Sequence, residues 1–267
     1  AIRYLYASAN PVFDMRFGTN LLDDAKKQLL AFWNIYVFFN TYAVIDNPKL
    51  DKYNLDVNKL ELSDKWLLEK IADFVNKSDK NYAENKAYLI VKDFEKLVDD
   101  ISNFYIRSNR KRFWDSDINA YYVLYFAIKN IIKVMAPIIP FITDYIWGNL
   151  VCSMEQDEVK SVHLSSLEPI PSFGFSTLVE EIEKSREIIY LAQKLRNEHK
   201  IKVKQPLKTM FLKVSDDYKK AVEALSDIVK EELNIKEIEF EESDDKFNSK
   251  ELLLNFKLAG KVLGKDV

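Results

Sequence analysis

The stretch that decides the fold is LLDDAKKQLLAFWNIYVFFNTYA, residues 21–43. Its apolar side chains recur every three or four residues over about six turns, which is the spacing of one face of an α-helix. These side chains are Leu22, Ala25, Leu29, Phe32, Trp33, Tyr36, Phe39 and Ala43. Asn47 and Pro48 end the pattern. A helix with one long apolar stripe buries that stripe against other helices, so the stretch predicts a helical bundle.

Further helices are predicted after residue 48, both before and after an aperiodic stretch at residues 151–175. Apolar periodicity indicates helices over residues 66–75, 82–105, 118–135, 140–150 and 176–199, with N-terminal caps at Ser63–Asp64 and at residues 115–117. Residues 151–175 lack periodicity and predict a linker. Beyond the last of these helices, residues 201–204, 210–214, 235–240 and 252–256 read as strands, and residues 216–233 as helix. This tail predicts a small α+β module appended to the bundle.

Composition excludes several classes of protein. Five glycines and seven prolines in 267 residues favour long helices over a turn-rich β fold. Cys152 is the one cysteine, so a disulfide framework and a multi-cysteine zinc site are excluded, and only His163 and His199 could serve as histidine ligands. No apolar run reaches about 18 residues and no signal-peptide pattern opens the sequence, so no membrane contact and a cytoplasmic protein are expected.

The segment NFYIRSNRKRFW, residues 103–114, combines positive charge with aromatic side chains. Arg107, Arg110, Lys111 and Arg112 precede Phe113 and Trp114. Cations bind phosphates and flat aromatic rings stack on unpaired bases, so the segment predicts contact with RNA. The alternative is a solvated helix end whose cations complement the helix dipole and whose aromatic rings lie in the core.

A second basic segment lies between residues 184 and 208, with eight Lys or Arg against Glu187 and Glu198. Residues 231–245 reverse this balance, so one basic face could meet a polyanion while the acidic part stays away. A solvated basic face is the alternative. Since neither a phosphate-binding glycine loop nor an HExxH or nucleophile-elbow motif is present, no residue is assigned to catalysis and the chain is predicted to be a binding module.

Seven segments, in order, resemble class I aminoacyl-tRNA synthetases. They are AIRYLYASANPVFDMRF (1–17), AFWNIYVFFNTYA (31–43), RKRFW (110–114), VMAPIIPFITDYIW (134–147), SVHLSSLEP (161–169), KLRNEHKIKVKQPL (194–207) and NFKLAGKVLGKDV (255–267). The ordered set favours the isoleucine enzymes of this class over the valine and leucine enzymes. Lys204 departs from the pattern, because the family often has arginine there and a point charge replaces a bidentate fork.

The resemblance implies a mainly α fold: an anticodon-binding helical bundle followed by a small α+β C-terminal module. Residues 1–20 would end a stem-contact segment, 21–152 form the bundle, 153–175 a linker, and 176–267 the long helix and module. The HIGH and KMSKS motifs would lie upstream of Ala1, so a C-terminal fragment, inactive alone, is expected. The full-length enzyme would use ATP and Mg²⁺ to join isoleucine to tRNA(Ile), whereas the fragment would hold no cofactor or metal and act as a monomer.

The resemblance also implies which side chains meet the anticodon stem-loop. Cations of the first basic segment would hold phosphates or a base edge, with Trp114 as a stacking surface. Trp33 and Asn34 are candidates on the first bundle helix, although Trp33 could be core and Asn34 could satisfy a backbone group. The second basic segment would extend the positive track through Lys194, Arg196, Lys200, Lys202 and Lys204. Two other hypotheses are the equivalent part of a valine or leucine enzyme and a helical scaffold that binds a protein.

Overall fold

A computed structural model describes residues 1–14, 17–50, 53–155 and 159–241. The chain divides into two compact units, Ala1–Phe175 and Ser176–Val267, which we call unit 1 and unit 2. In the described residues, helices dominate both units and the only sheet has two strands. The predicted fold class, a mainly α bundle followed by a small α+β module, is confirmed.

Unit 1 consists of packed helices joined by short connections. Its α-helices are α1 (Ile2–Ser8), α2 (Thr19–Asp46), α3 (Leu62–Ala83), α4 (Ala87–Asp100), α5 (Arg107–Trp114), α6 (Ile118–Met135), α7 (Pro140–Ile146) and α8 (Cys152–Met154). Helix α3 packs on α4 and α6, and α2 packs on α1, α4 and α6. The predicted stripe of α2 is buried in this core at Phe32 and Phe39, which confirms the prediction from residues 21–43.

The start of α3 corrects one predicted cap. The cap was predicted at Ser63–Asp64, but the helix begins at Leu62 with Glu61 as its N-cap residue. Asp64 lies at the third helical position, where its Oδ2 accepts the Glu61 backbone N–H at 3.2 Å. This is the acidic half of a capping box. The cap predicted at residues 115–117 is confirmed, because the Asp117 side chain accepts the Asn119 backbone N–H at 2.9 Å.

The helix predicted over residues 82–105 is divided differently in the structure. Asn85 adopts a left-handed conformation with φ of 56°, which separates α3 from α4, so the predicted start is wrong. A π-helical turn, Ile101–Ile106, then joins α4 to α5. A second π-helical turn, Trp147–Val151, follows α7, where continuous helix was predicted to residue 150. Such turns insert an extra residue and often accompany functional sites.

The segment that ends unit 1 is held against α3 by two polar side chains of that helix, the buried Glu69 and the half-buried Asn76. The Glu69 carboxylate accepts hydrogen bonds from the Ser172 hydroxyl at 2.7 Å and from the Phe173 amide at 2.8 Å. Asn76 exchanges two hydrogen bonds with the backbone of Ile170, at 2.8 and 3.0 Å. These contacts give an aperiodic segment fixed positions without a helix or strand.

Unit 2 contains α9 (Ser176–Glu198), β1 (Leu207–Leu212), α10 (Asp216–Ala224), α11 (Ser226–Leu233) and β2 (Ile235–Phe240). The two strands are parallel, and Leu207 pairs with Ile235 at the start of the sheet. Both predicted strands near β1 and β2 and the helix over 176–199 are found, but the helix predicted over 216–233 breaks at Leu225. The strand predicted over 252–256 lies outside the described residues.

Two further sequence expectations concern membranes and metals. Helix α2 is long and apolar enough to match a membrane span by length and composition, but the buried core helix of a bundle passes the same test. Within the described residues, no group of three or more His, Cys, Asp or Glu side chains is arranged to hold a metal ion.

Candidate nucleic-acid interface

The four cations of the first basic segment lie on α5, and one side of this helix carries three of them. Arg107, Arg110, Lys111 and Trp114 are all exposed. Arg110 and Lys111 lie three and four residues after Arg107, and four and three residues before Trp114. Side chains at these spacings share one helix face. We call these four residues the α5 face. Trp114 is 66% exposed, so a flat aromatic surface stands at one end of three cations.

Helix α2 provides an aromatic wall beside the α5 face. The Arg110 guanidinium lies 6.0 Å from the centre of the Phe38 ring, within range of a cation–π contact. The Trp114 indole N–H donates a hydrogen bond to the Tyr42 hydroxyl at 2.5 Å, which fixes the orientation of the exposed ring. Sequence reasoning missed Phe38 and Tyr42, although their spacing of four residues from each other could have revealed a shared helix side.

Arg112 does not belong to the α5 face, although it was predicted to contact RNA with the other cations. Its side chain is only 13% exposed and points into unit 1, where the Asp64 carboxylate binds it at 2.7 and 2.9 Å. Its Nε also donates to Asp117 at 2.8 Å. Arg112 faces inward because it shares the helix side of buried Asn109, three residues earlier, and of the core.

Asp64 is fully buried and fully hydrogen-bonded. Besides the Arg112 fork, it accepts the Tyr105 hydroxyl at 2.7 Å and the Glu61 backbone amide. Burial lowers the pKa of Arg112, but the hydrogen bond and charge of Asp64 more than offset this and raise the pKa above its usual value. Burial, followed by the charge of Asp64, raises the pKa of Tyr105 well above its usual value. Arg112 therefore stays charged inside the protein and anchors α5 to α3.

The two candidates on α2 lie in different surroundings. Asn34 is exposed and lies one helical turn before Phe38, on the side of α2 that faces α5. Trp33 is half-buried, and its ring lies 5.1 Å from the Tyr36 ring and 5.6 Å from that of Tyr145 on α7. Asn34 therefore shares a helix side with Phe38, which contacts Arg110, and Trp33 has aromatic partners elsewhere.

The second basic segment lies in unit 2, at the end of α9 and in the connection to β1. Four of its predicted residues, Lys194, Lys200, Lys202 and Lys204, are exposed. Arg196 is 3% exposed and donates to the backbone carbonyls of Lys202, Gln205 and Leu233, so it too points inward. The strand predicted over 201–204 is wrong, because the Gln205 amide donates to the Lys202 carbonyl at 2.9 Å and closes a turn.

The arrangement on unit 1 suits single-stranded or looped RNA. The cations can neutralise phosphates, and Trp114 presents a ring on which an unpaired base can stack. Asn34 carries an amide that can both donate to and accept from a base edge. Lys111 also lies in the last turn of α5, where a cation complements the helix dipole, so its position agrees equally with the alternative of a solvated helix end.

A helical bundle that presents cations beside an exposed indole has the charge and the flat ring that single-stranded nucleic acid requires. Comparison with protein families shows a match to the anticodon-binding domain of tRNA ligase. The match covers residues 64–211, which is more than half of the chain. This chain belongs to that family. The match includes α3 from Asp64 onwards, α5 and the second basic segment.

The most similar relatives include isoleucine–tRNA ligases. The chain is 33% identical to the enzyme of Clostridium novyi over 98% of its own length, and 31% identical to that of Thermus thermophilus over 98%. It is 30% identical to the enzyme of Bacteroides fragilis over 99%. In each case the chain spans about a quarter of the relative's length, at 25%, 26% and 24%.

Proposed function

We propose that this chain binds the anticodon arm of tRNA(Ile) as part of an isoleucine–tRNA ligase, with the α5 face as its main contact in unit 1. The observation that carries the proposal is the shared exposed side of Arg107, Arg110, Lys111 and Trp114. Membership of the anticodon-binding family and similarity to isoleucine–tRNA ligases support the choice of RNA.

Each part of the α5 face has its own role in the proposal. Arg107, Arg110 and Lys111 hold phosphates or a base edge, and Trp114 stacks on an unpaired base. Asn34 reads a base edge from the side of α2. Trp33 acts through α7 and not by direct stacking, and Arg112 supports the interface from inside the protein by fixing α5 on α3.

The whole-protein activity proposed from the relatives is the joining of isoleucine to tRNA(Ile) with ATP and Mg²⁺. This chain would supply RNA binding and none of the adenylate chemistry. The proposed organisation assigns residues 1–20 to a stem-contact segment, 21–152 to the anticodon-binding bundle, 153–175 to a linker and 176–267 to the C-terminal module. The chain would act as a monomer in the cytoplasm, away from membranes.

The test measures binding of the chain to an anticodon stem-loop of tRNA(Ile) at several salt concentrations. Trp114→Ala should weaken binding by about 1–3 kcal/mol without changing the salt dependence, because stacking releases no counterions. Lys111→Ala should lower the slope of log affinity against log salt by about 0.7, the share of one phosphate contact on a single strand.

Two controls sharpen this test. Lys77→Ala removes an exposed cation from α3, 13 residues after Asp64 and therefore about 20 Å along the helix from the position that holds α5, and should leave affinity and salt slope unchanged. A stem-loop carrying a valine anticodon should bind more weakly if base edges are read. Unchanged binding in both Trp114→Ala and Lys111→Ala contradicts the proposed interface, and equal affinity for the two anticodons contradicts the choice of isoleucine.

A further inference from the structure

Residues 200–205, which we call the lysine loop, connect α9 to β1 in unit 2. The loop starts with a Schellman motif: the Ile201 amide donates to the Arg196 carbonyl at 2.8 Å and the Lys200 amide to the Asn197 carbonyl at 3.1 Å. This motif needs a left-handed residue, and Lys200 adopts it with φ of 56°. Glycine is the usual residue there, so a lysine is kept at a conformational cost.

Two side chains bind the backbone of the loop, the buried Arg196 and the half-buried Asn234. The Arg196 guanidinium donates to the carbonyls of Lys202 and Gln205, both at 3.1 Å. The Asn234 amide donates to the carbonyls of Val203 and Lys204, at 3.1 and 3.0 Å. Four consecutive carbonyl groups of the loop are therefore bound by these two side chains.

The charged side chains of the lysine loop are all positive. Four successive carbonyl oxygens of the loop accept hydrogen bonds from Arg196 and Asn234, while the side chains of Lys200, Lys202 and Lys204 are exposed. Between residues 194 and 208 the sequence has six Lys or Arg and one acid, Glu198. Lysine is a point charge on a flexible stem, and it binds phosphate without the fixed geometry that arginine imposes. A track of lysines therefore suits a phosphodiester backbone and carries no base specificity.

We propose that the lysine loop binds the phosphate backbone of the same tRNA, and that Arg196 and Asn234 are positioning residues that hold its shape. This inference rests on the proposed function, which supplies the identity of the ligand, tRNA(Ile). It gives Arg196 a role inside the protein and leaves contact with RNA to Lys200, Lys202 and Lys204.

The first test separates charge from folding at Lys200. Because glycine adopts the left-handed conformation at no cost, Lys200→Gly keeps or raises the stability of unit 2 while it removes one cation. Affinity for full-length tRNA(Ile) should fall several-fold and the salt slope should drop by about 0.7–0.9. A variant that is as stable as the parent and binds with the same slope overturns the role of Lys200.

The second test uses a matched pair of double variants. Lys202→Gln with Lys204→Gln should weaken binding about tenfold near 0.1 M salt, because two phosphate contacts are lost. Lys219→Gln with Lys220→Gln makes the same charge change on α10, which packs beside Ser185, about 20 Å from the loop at 1.5 Å of helix rise per residue. That pair should bind almost as the parent does. If both pairs weaken tRNA binding equally, the effect comes from the total positive charge of the chain and not from the loop, and the proposal is overturned.

The positioning role is tested with Asn234→Gly. Asn234 has φ of 49°, so glycine preserves the backbone but removes both donors to the loop, and every lysine remains. A lower salt slope in this variant supports positioning, since a purely structural residue would not change the number of phosphate contacts. An unchanged slope and affinity overturn it.

These outcomes differ from those that test the α5 face. A parent chain that does not bind tRNA(Ile) overturns the proposed function and this inference together. A parent that binds, and loses affinity with Lys111→Ala but not with the loop variants, overturns only the lysine loop.

Discussion

Each basic segment of the chain turns one arginine inward, and the two arginines have different partners. In unit 1 the Arg112 fork binds the carboxylate of Asp64, which is completely buried. In unit 2 Arg196 donates to three backbone carbonyls. One of them is the carbonyl of Leu233, the last residue of α11, whose oxygen lies 2.6 Å from the guanidinium. The first is a buried ion pair, and the second is a cation bound by peptide dipoles.

The difference predicts how each unit responds when its arginine is lost. Asp64 has no access to water, so it would remain as an unpaired buried charge. The carbonyls of the loop around Lys202 lie in an exposed segment, and water can replace most of their lost hydrogen bonds. Burial lowers the pKa of Arg196, whereas the pKa of Arg112 is raised by its carboxylate partners.

The largest expected effect is therefore that of Arg112→Ala. We expect the free energy of unfolding of unit 1 to fall by about 3–5 kcal/mol, because one partner of a buried pair is left behind. Amide hydrogen exchange measured on peptides of α3 and α5 reports this loss without mixing the two units.

An exposed pair is the matched control for this prediction. Lys77 and Asp73 lie one turn apart on α3 with side chains 60% and 54% exposed, and Lys77→Ala should cost no more than about 1 kcal/mol. A loss for Arg112→Ala as small as that of the control would show that the buried pair does not stabilise unit 1.

The next effect is that of Arg196→Met in unit 2. The variant keeps an apolar stem but loses the charged donor, and we expect unit 2 to lose about 1.5–3 kcal/mol. Exchange should rise at the amides of residues 199–207 before it rises in β1 or β2. Arg186→Met, on the same helix and near Glu183, is the control. A loss that equals or exceeds that of Arg112→Ala would contradict the contrast between carboxylate and carbonyl partners.

The helical fold was predictable because it depends on periodic patterns that survive in the structure. The stripe of α2 is buried as predicted, and Asp117 caps α6. Breaks within helices were not predictable. The left-handed Asn85 and the π-helical turns interrupt segments whose apolar spacing continues, because tertiary packing and single backbone conformations decide where such breaks fall.

The exposure of the first basic segment was predictable from the sequence, but the orientation of each of its side chains was not. Sequence spacing puts Arg107, Arg110, Lys111 and Trp114 on one face, and their exposure agrees with that pattern. Nothing local showed that Arg112 would meet a carboxylate 48 residues earlier, or that Arg196 would meet the end of α11. Long-range partners of this kind are set by the packing of whole helices. The alternating apolar and charged side chains of residues 201–204 are typical of a strand. In the structure, however, the carbonyls of Lys202 and Val203 accept hydrogen bonds from side chains and not from another strand.

The smallest expected effect uses pH to probe the buried pair without removing it. The folded-state pKa of Tyr105 lies well above its ordinary value of 10.0, chiefly through burial and then through the charge of Asp64. A raised pKa means that this stabilisation is complete below pH 10 and is lost as pH rises above it, because the unfolded chain ionises first. Between about pH 9 and about pH 11, the free energy of unfolding of the parent should fall by about 1.4 kcal/mol more than that of Tyr105→Phe.

Urea unfolding at both pH values measures this difference, and Tyr190→Phe removes an exposed hydroxyl as the control. If the parent and Tyr105→Phe lose equal stability, then Tyr105 ionises in the folded protein, and Asp64 and Arg112 are open to water in solution.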